Sequence, residues 1–127
     1  MVDAGLYHNL AIAPGGTITA WGLDGNLQCA GAAERTNVKA VAAGGWHSLA
    51  LLANGTVVAW VLNDYGQCNV PAALQVPGAA VAIAAGGWHS LALKADGAVV
   101  AWGQNDFGQC RVPVKCTTPT FMLLLGN

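Results

Sequence analysis

Three histidines, His8, His47 and His89, are the side chains of this 127-residue chain best suited to proton transfer or metal ligation. Four cysteines, Cys29, Cys68, Cys110 and Cys116, could hold zinc or pair as disulfides, and Asp24, Asp64 and Asp106 could meet a calcium ion. Spacing argues against each of these chemistries. No two cysteines stand in the Cys-x-x-Cys arrangement that holds zinc. The aspartates come one to a segment, too sparse for a calcium cage. Each segment offers the same single histidine, so no nucleophile, base and orienting acid can be assembled from it. The expectation is a chain that is not an enzyme, with no catalytic residue, no metal and no cofactor. The histidines, which share a strand face with leucines such as Leu49 and Leu51, are read as structural, buried and tying turns by hydrogen bonds.

What places these residues is an internal repeat. The histidines step by 39 and 42 residues; so do Trp21, Trp60 and Trp102, and so do Cys29, Cys68 and Cys110. Three residue types in one register mark three copies of one unit. The stretch from Gly44 to Trp60 returns from Gly86 to Trp102 with only Leu52/Lys94, Asn54/Asp96 and Thr56/Ala98 changed. A looser copy runs from Gly5 to Trp21. A period of about 40 with strand-type residues is that of a propeller blade, since helical repeats of this length carry a helical period.

Within a unit, an apolar segment (Val38 to Ala43, Ala80 to Ala85) ends in a Gly-Gly corner, and a short strand follows from the histidine. Asn54-Gly55 and Asp96-Gly97 predict a two-residue type I′ hairpin, with Gly15-Gly16 serving the first copy. The return strand, Thr56 to Trp60, is rich in β-branched residues. Cys68-Asn69-Val70-Pro71 and Cys110-Arg111-Val112-Pro113 are read as an outer edge strand, where proline is tolerated. The fold class expected is all-β: a partial β-propeller of about three four-stranded antiparallel blades, an open stack and not a closed ring. The blades are set at 1–37, 38–78 and 79–116, with a non-repeat tail at 117–127.

Composition bounds the partners. Charged residues make up 9% of the chain and the net charge is −1, so there is no basic stripe for nucleic-acid phosphates or anionic lipid. No apolar run approaches the ~20 residues that span a membrane. The start lacks the basic and apolar regions of a signal peptide, which leaves a cytoplasmic location as the default expectation. Equivalent cysteines on neighbouring blades would stand about 10 Å apart, beyond the roughly 7 Å between Cα atoms that a disulfide needs. Cys110 and Cys116 are the one plausible pair. Asn54-Gly55-Thr56 fits a glycosylation acceptor pattern, but its reading as the hairpin turn is the stronger one.

The run Ala-Gly-Gly-Trp-His-Ser-Leu-Ala-Leu, followed by Asp-Gly-x-Val-Val-Ala-Trp-Gly-x-Asn-x-x-Gly-Gln, resembles the regulator of chromosome condensation repeat family. Residues 84–109 match nearly throughout, 42–67 almost as well and 3–28 more weakly. Short units with Val-Pro after Gly-Gln resemble the bacterial branch that includes beta-lactamase inhibitory protein II. The resemblance implies a propeller that presents one face of its ring to another protein. Val61 departs from the pattern where the third copy has Gly103, and Leu27 where the others have Gly66 and Gly108. Three units do not close the usual seven-bladed ring. The chain is therefore read as a fragment, a degenerate copy or an assembling subunit, two chains giving six blades being one geometric option.

The resemblance also implies a protein-binding face. Tyr7, Trp46 and Trp88 occupy the corner before each histidine, the position that faces the partner in the inhibitor branch, and aromatic rings make good anchors. Trp21, Trp60 and Trp102 are expected to fill the core between blades, their indole N–H groups bonded to carbonyls. Three functional readings follow from the resemblance: a protein-binding module with another protein as partner, a nucleotide-exchange regulator of a small GTPase, or a fragment without independent activity. The light-sensing branch is disfavoured, because Gly-Trp-His-Ser lacks the arginine of its Gly-Trp-Arg-His-Thr motif.

Overall fold

The computed structural model describes residues 1–23, 29–32, 35–61, 66–106 and 108–113. They form three antiparallel sheets of three strands each, in chain order. The first comprises β1 (Val2–Ala4), β2 (His8–Ile12) and β3 (Ile18–Gly22); the second β4 (Val38–Ala43), β5 (His47–Leu52) and β6 (Val57–Val61); the third β7 (Ala80–Ala85), β8 (His89–Lys94) and β9 (Val99–Gly103). Short 3-10 turns occupy Ala30–Ala32 and Ala72–Leu74. No described helix is long and apolar enough to cross a membrane.

Strand alternation gives every sheet two apolar faces. Val41, Ala43, Ala50 and Trp60 of the second sheet pack on Leu10 and Ile18 of the first. The opposite face, Ala42, Leu49, Leu51 and Val57, packs on Ala80, Ala92 and Trp102 of the third. The sheets are thus stacked face to face, and the middle one is covered on both sides. Leu49 and Leu51 are wholly buried, each contributing about 1.5–3 kcal/mol.

The expected fourth strand is absent among the described residues. Cys68 to Pro71 and Cys110 to Pro113 follow left-handed Gly66 and Gly108 and spend their amides locally. Asn69 N–H donates to the Gly66 carbonyl, Val70 to Cys68 and Arg111 to Gly108. Cys110 N–H donates to Asn105 Oδ1, and proline has no N–H to give. A cleft of about 610 Å³ lies between Thr56–Ala59 and the Cys68–Val70 segment.

The hairpins also differ from the type I′ expectation. Among the described non-glycine residues only Asn37 and Val61 have positive φ, so Asn54 and Asp96 do not. Instead Gly55 N–H donates to the Leu52 carbonyl and Leu52 N–H to Thr56, with Gly55 left-handed at φ 91°. This is the three-residue loop with a glycine bulge. Asn54 Oδ1 accepts from both the amide and the hydroxyl of Thr56, which holds the asparagine in this arrangement.

Val61 carries strain. Its φ is 97°, where the equivalent Gly22 and Gly103 have 115° and 108°. A Cβ at Gly103 would meet the Trp88 carbonyl oxygen at 2.7 Å, and a β-branched residue at positive φ is an outlier. Replacing it with the glycine of its sister units, Val61→Gly, is expected to stabilise the chain by about 1 kcal/mol, the relief of strain exceeding the lost packing. Equilibrium urea denaturation reads this directly; a lower midpoint would show that packing of the valine outweighs the strain.

Candidate functional site

Each first strand turns back on itself within three residues. Gly5, Gly44 and Gly86 donate their N–H groups to the carbonyls of His8, His47 and His89, at 2.8–2.9 Å. The aromatic residue sits at the tip of each turn. Adjacent turns touch through backbone: Gly45 N–H donates to the carbonyls of Gly86 (3.3 Å) and Gly87 (3.2 Å). A Cβ at Gly45 would stand 2.7 Å from the Gly87 oxygen, and one at Gly44 2.6 Å from the Gly86 oxygen. Glycine is what lets the sheets converge at this end.

That convergence brings Tyr7, Trp46 and Trp88 into one row. The Tyr7 and Trp46 ring centroids are 4.5 Å apart with planes at 37°, and those of Trp46 and Trp88 are 6.2 Å apart at 31°. Tyr7 is 49% exposed and both tryptophans are half-buried. Beside the row runs a cleft of about 240 Å³ walled by the glycine turns, Ala4 to Leu6, Ala43 to Gly45 and Ala85 to Gly87.

The histidines lie beneath this surface and tie sheet to sheet. His8 Nε2 is 2.8 Å from Ser48 Oγ, and His47 Nε2 is 3.0 Å from Ser90 Oγ. The Ser90 hydroxyl donates its one hydrogen to the Gln67 carbonyl at 2.9 Å, so His47 must donate Nε2–H to Ser90. His47 is therefore the Nε2–H tautomer, and its buried Nδ1 is a bare acceptor with no hydrogen-bond partner. Burial, reinforced by the neighbouring His8 and His89, pushes its pKa down to about 4. Burial also lowers that of His8. His8, His47, Ser48 and Ser90 are all shut away from solvent; the His–Ser pairs are sealed, with the Ser90 proton already committed.

The three strand-end tryptophans do not share one environment. Trp60 and Trp102 are 7% and 8% exposed, but Trp21 is 51% exposed, contrary to the expectation that it fills a core. Each of these rings faces the preceding sheet, and among the described residues the first sheet has a neighbour on one side only. Trp102 Nε1 donates to the Gln67 carbonyl at 2.8 Å. The Arg35 guanidinium lies 5.2 Å from the Trp60 ring centroid.

Two contributors escaped the sequence reading. Gln67, wholly buried, receives both Ser90 and Trp102 on its carbonyl; Gln28, Gln67 and Gln109 repeat with the same steps of 39 and 42 and could have revealed it. Asp3 Oδ2 accepts the Ala43 N–H at 2.7 Å, for which the sequence has no signal, the sister units having alanine there. Cys68 and Cys110 carry thiols, and burial raises both pKa values, that of Cys68 to about 11. Asp24, Leu27, Asp64, Cys116 and the tail at 117–127 lie outside the described residues. Among the described residues no three His, Cys, Asp or Glu side chains converge.

Comparison with known proteins gives this geometry a family context. Residues 38–67 and 80–109 match the regulator of chromosome condensation (RCC1) repeat. No curated protein matches the chain in sequence. Among solved structures it is similar to Saccharomyces cerevisiae Prp20p, described with its binding to Gsp1p and histones, at 26% identity and TM-score 0.73 over 91% of this chain and 33% of that one. It is similar to human WBSCR16 at 26% identity and TM-score 0.66, over 81% of this chain and 32% of that one. The ectodomain of the Physcomitrella patens receptor kinase CR4 shares the fold at 22% identity and TM-score 0.70, over 88% and 31%. The chain spans about a third of the length of these structures. Residues 38–67 and 80–109, which hold the converging glycine turns of the second and third sheets, thus match the RCC1 repeat, and the three stacked sheets share the fold of these propeller relatives.

Proposed function

We propose that this chain is a protein-interaction module that performs no covalent chemistry, and that its binding face is the row Tyr7–Trp46–Trp88. The observation that carries the reading is the row itself: three rings from three blades, in contact, partly exposed and held on rigid glycine turns. Preorganised aromatics lose little entropy on binding and serve as hot spots. The sealing of the His–Ser pairs supports a structural role for these residues. Prp20p, a structural relative, binds Gsp1p and histones; a folded protein is the partner class proposed here too. The mode resembles the inhibitor branch, in which blade-corner aromatics meet the partner's surface.

Gsp1p and histones are the first probes, by surface plasmon resonance. For any partner found, Trp46→Ala with Trp88→Ala is expected to weaken binding by about 30- to 1,000-fold, the loss of about 2–4 kcal/mol that a central tryptophan carries. Unchanged affinity in a double variant that keeps its fold would move the binding face elsewhere.

A further inference from the structure

The outward face of the third blade repeats that of the second residue for residue. Ala40, Ala42, His47, Leu49, Leu51, Val57 and Ala59 correspond to Ala82, Ala84, His89, Leu91, Leu93, Val99 and Ala101, with no change of type. On the second blade this face is covered: Leu49, Leu51 and Val57 are at most 2% exposed. On the third no described residue covers it. Leu93 is 38% exposed, Ala82 and Ala84 are exposed, and an apolar groove of about 280 Å³ runs between β7, β8 and Val99.

The second blade shows what fits such a face, because its copy is occupied by Ile83, Ser90, Ala92, Val100 and Trp102 of the third. The first blade carries Val2, Asn9, Ala11, Thr19 and Trp21 at the same five register positions. That face is open as well, with Val2 73% and Trp21 51% exposed. We infer that the open face of the third blade takes the open face of the first blade of a second copy, head to tail, continuing the stack from one copy to the next.

The polar tie survives the one substitution that bears on it. In the internal interface Ser90 accepts from His47 Nε2 and donates to the Gln67 carbonyl. Asn9 has both an acceptor oxygen and donor hydrogens on one side chain, so it can accept from His89 and donate to the main chain of Gln109, the equivalent of Gln67. Trp21 then takes the position of Trp102, its indole N–H toward the same carbonyl. The remaining contacts are apolar on apolar except at Thr19, which stands where the third blade has Val100. A head-to-tail contact of this kind closes into a ring if the rotation permits and otherwise grows into an open stack.

The test uses two variants of the full chain, each blocking one end with a charge at an exposed site. Val2→Asp spoils the head and Leu93→Asp the tail. Sedimentation and light scattering should show the wild type as a multimer at hundreds of micromolar and each variant at single-chain mass. Mixing the two variants should restore a one-to-one dimer through the intact tail of Val2→Asp and the intact head of Leu93→Asp. Circular dichroism confirms folding, and Ala82→Lys replaces Leu93→Asp should the latter not fold. The double Trp46, Trp88 alanine variant should associate like the wild type, which separates this interface from the proposed binding face. A monomeric wild type overturns the inference. Variants that still multimerise, or a mixture that stays monomeric, overturn it too.

Discussion

Lowering the pH from 7 to 4 is expected to remove about 3 kcal/mol of stability through His47 alone. In the unfolded chain this ring takes up its proton near 6.5, and in the folded chain only near 4. Each unit of such a difference is worth about 1.4 kcal/mol. Between these values the unfolded chain binds more protons than the folded one, so stability rises with pH across the window. The contribution is complete above 6.5 and gone below about 4, where both states are protonated. The cause is structural. Protonation would put a second N–H on a ring that is wholly buried, and Nδ1 has no hydrogen-bond partner to receive it. His8, whose pKa burial also lowers, adds in the same direction. Denaturation midpoints at pH 7, 5.5 and 4.5 measure the slope, and His47→Gln, which keeps a donor for Ser90 without a titrating ring, should flatten it. A variant as pH-sensitive as the wild type would place the proton uptake elsewhere.

The sequence disclosed what recurs and concealed what does not. His47, Trp60 and Cys68 announce the unit because each has a counterpart at fixed steps, and the strands follow from β-branched residues between glycine corners. Turn type was less legible. Asn-Gly suits a type I′ turn, but the Asn54 side chain is drawn to Thr56, and only Gly55 goes left-handed. The outer strand failed for a similar reason: Val70 and Pro71 look like an edge, yet the glycine turn before them takes the amides a ladder would need. At the candidate site, the residue types at the blade corners were readable, but their contact was not. Ring distances of 4.5 and 6.2 Å depend on how closely the Gly44 and Gly86 turns approach, which is a property of the stack and not of one unit. Trp21 shows the converse, since its type predicts burial and its position in the stack decides exposure.

That dependence on position yields the second large effect. Leu49 and Leu91 are the same residue at the same point of their blades, paired with Ala59 and Ala101 across the strand. Leu49 is wholly buried beneath the third blade, whereas Leu91 lines the open groove. Leu49→Ala is expected to cost about 2–5 kcal/mol, because a cavity forms between two packed sheets that cannot collapse independently. Leu91→Ala, measured on dilute chains, is expected to cost about 1 kcal/mol, since solvent fills the space it vacates. At high concentration the two should converge if the groove is covered by a second copy, because burial then becomes equal. Urea midpoints of both variants against the wild type, at two protein concentrations, give all four values. Equal costs in the dilute chain would mean that Leu91 is already covered within a single molecule. Costs that stay unequal at high concentration, in a chain shown to associate, would mean that association uses some other surface.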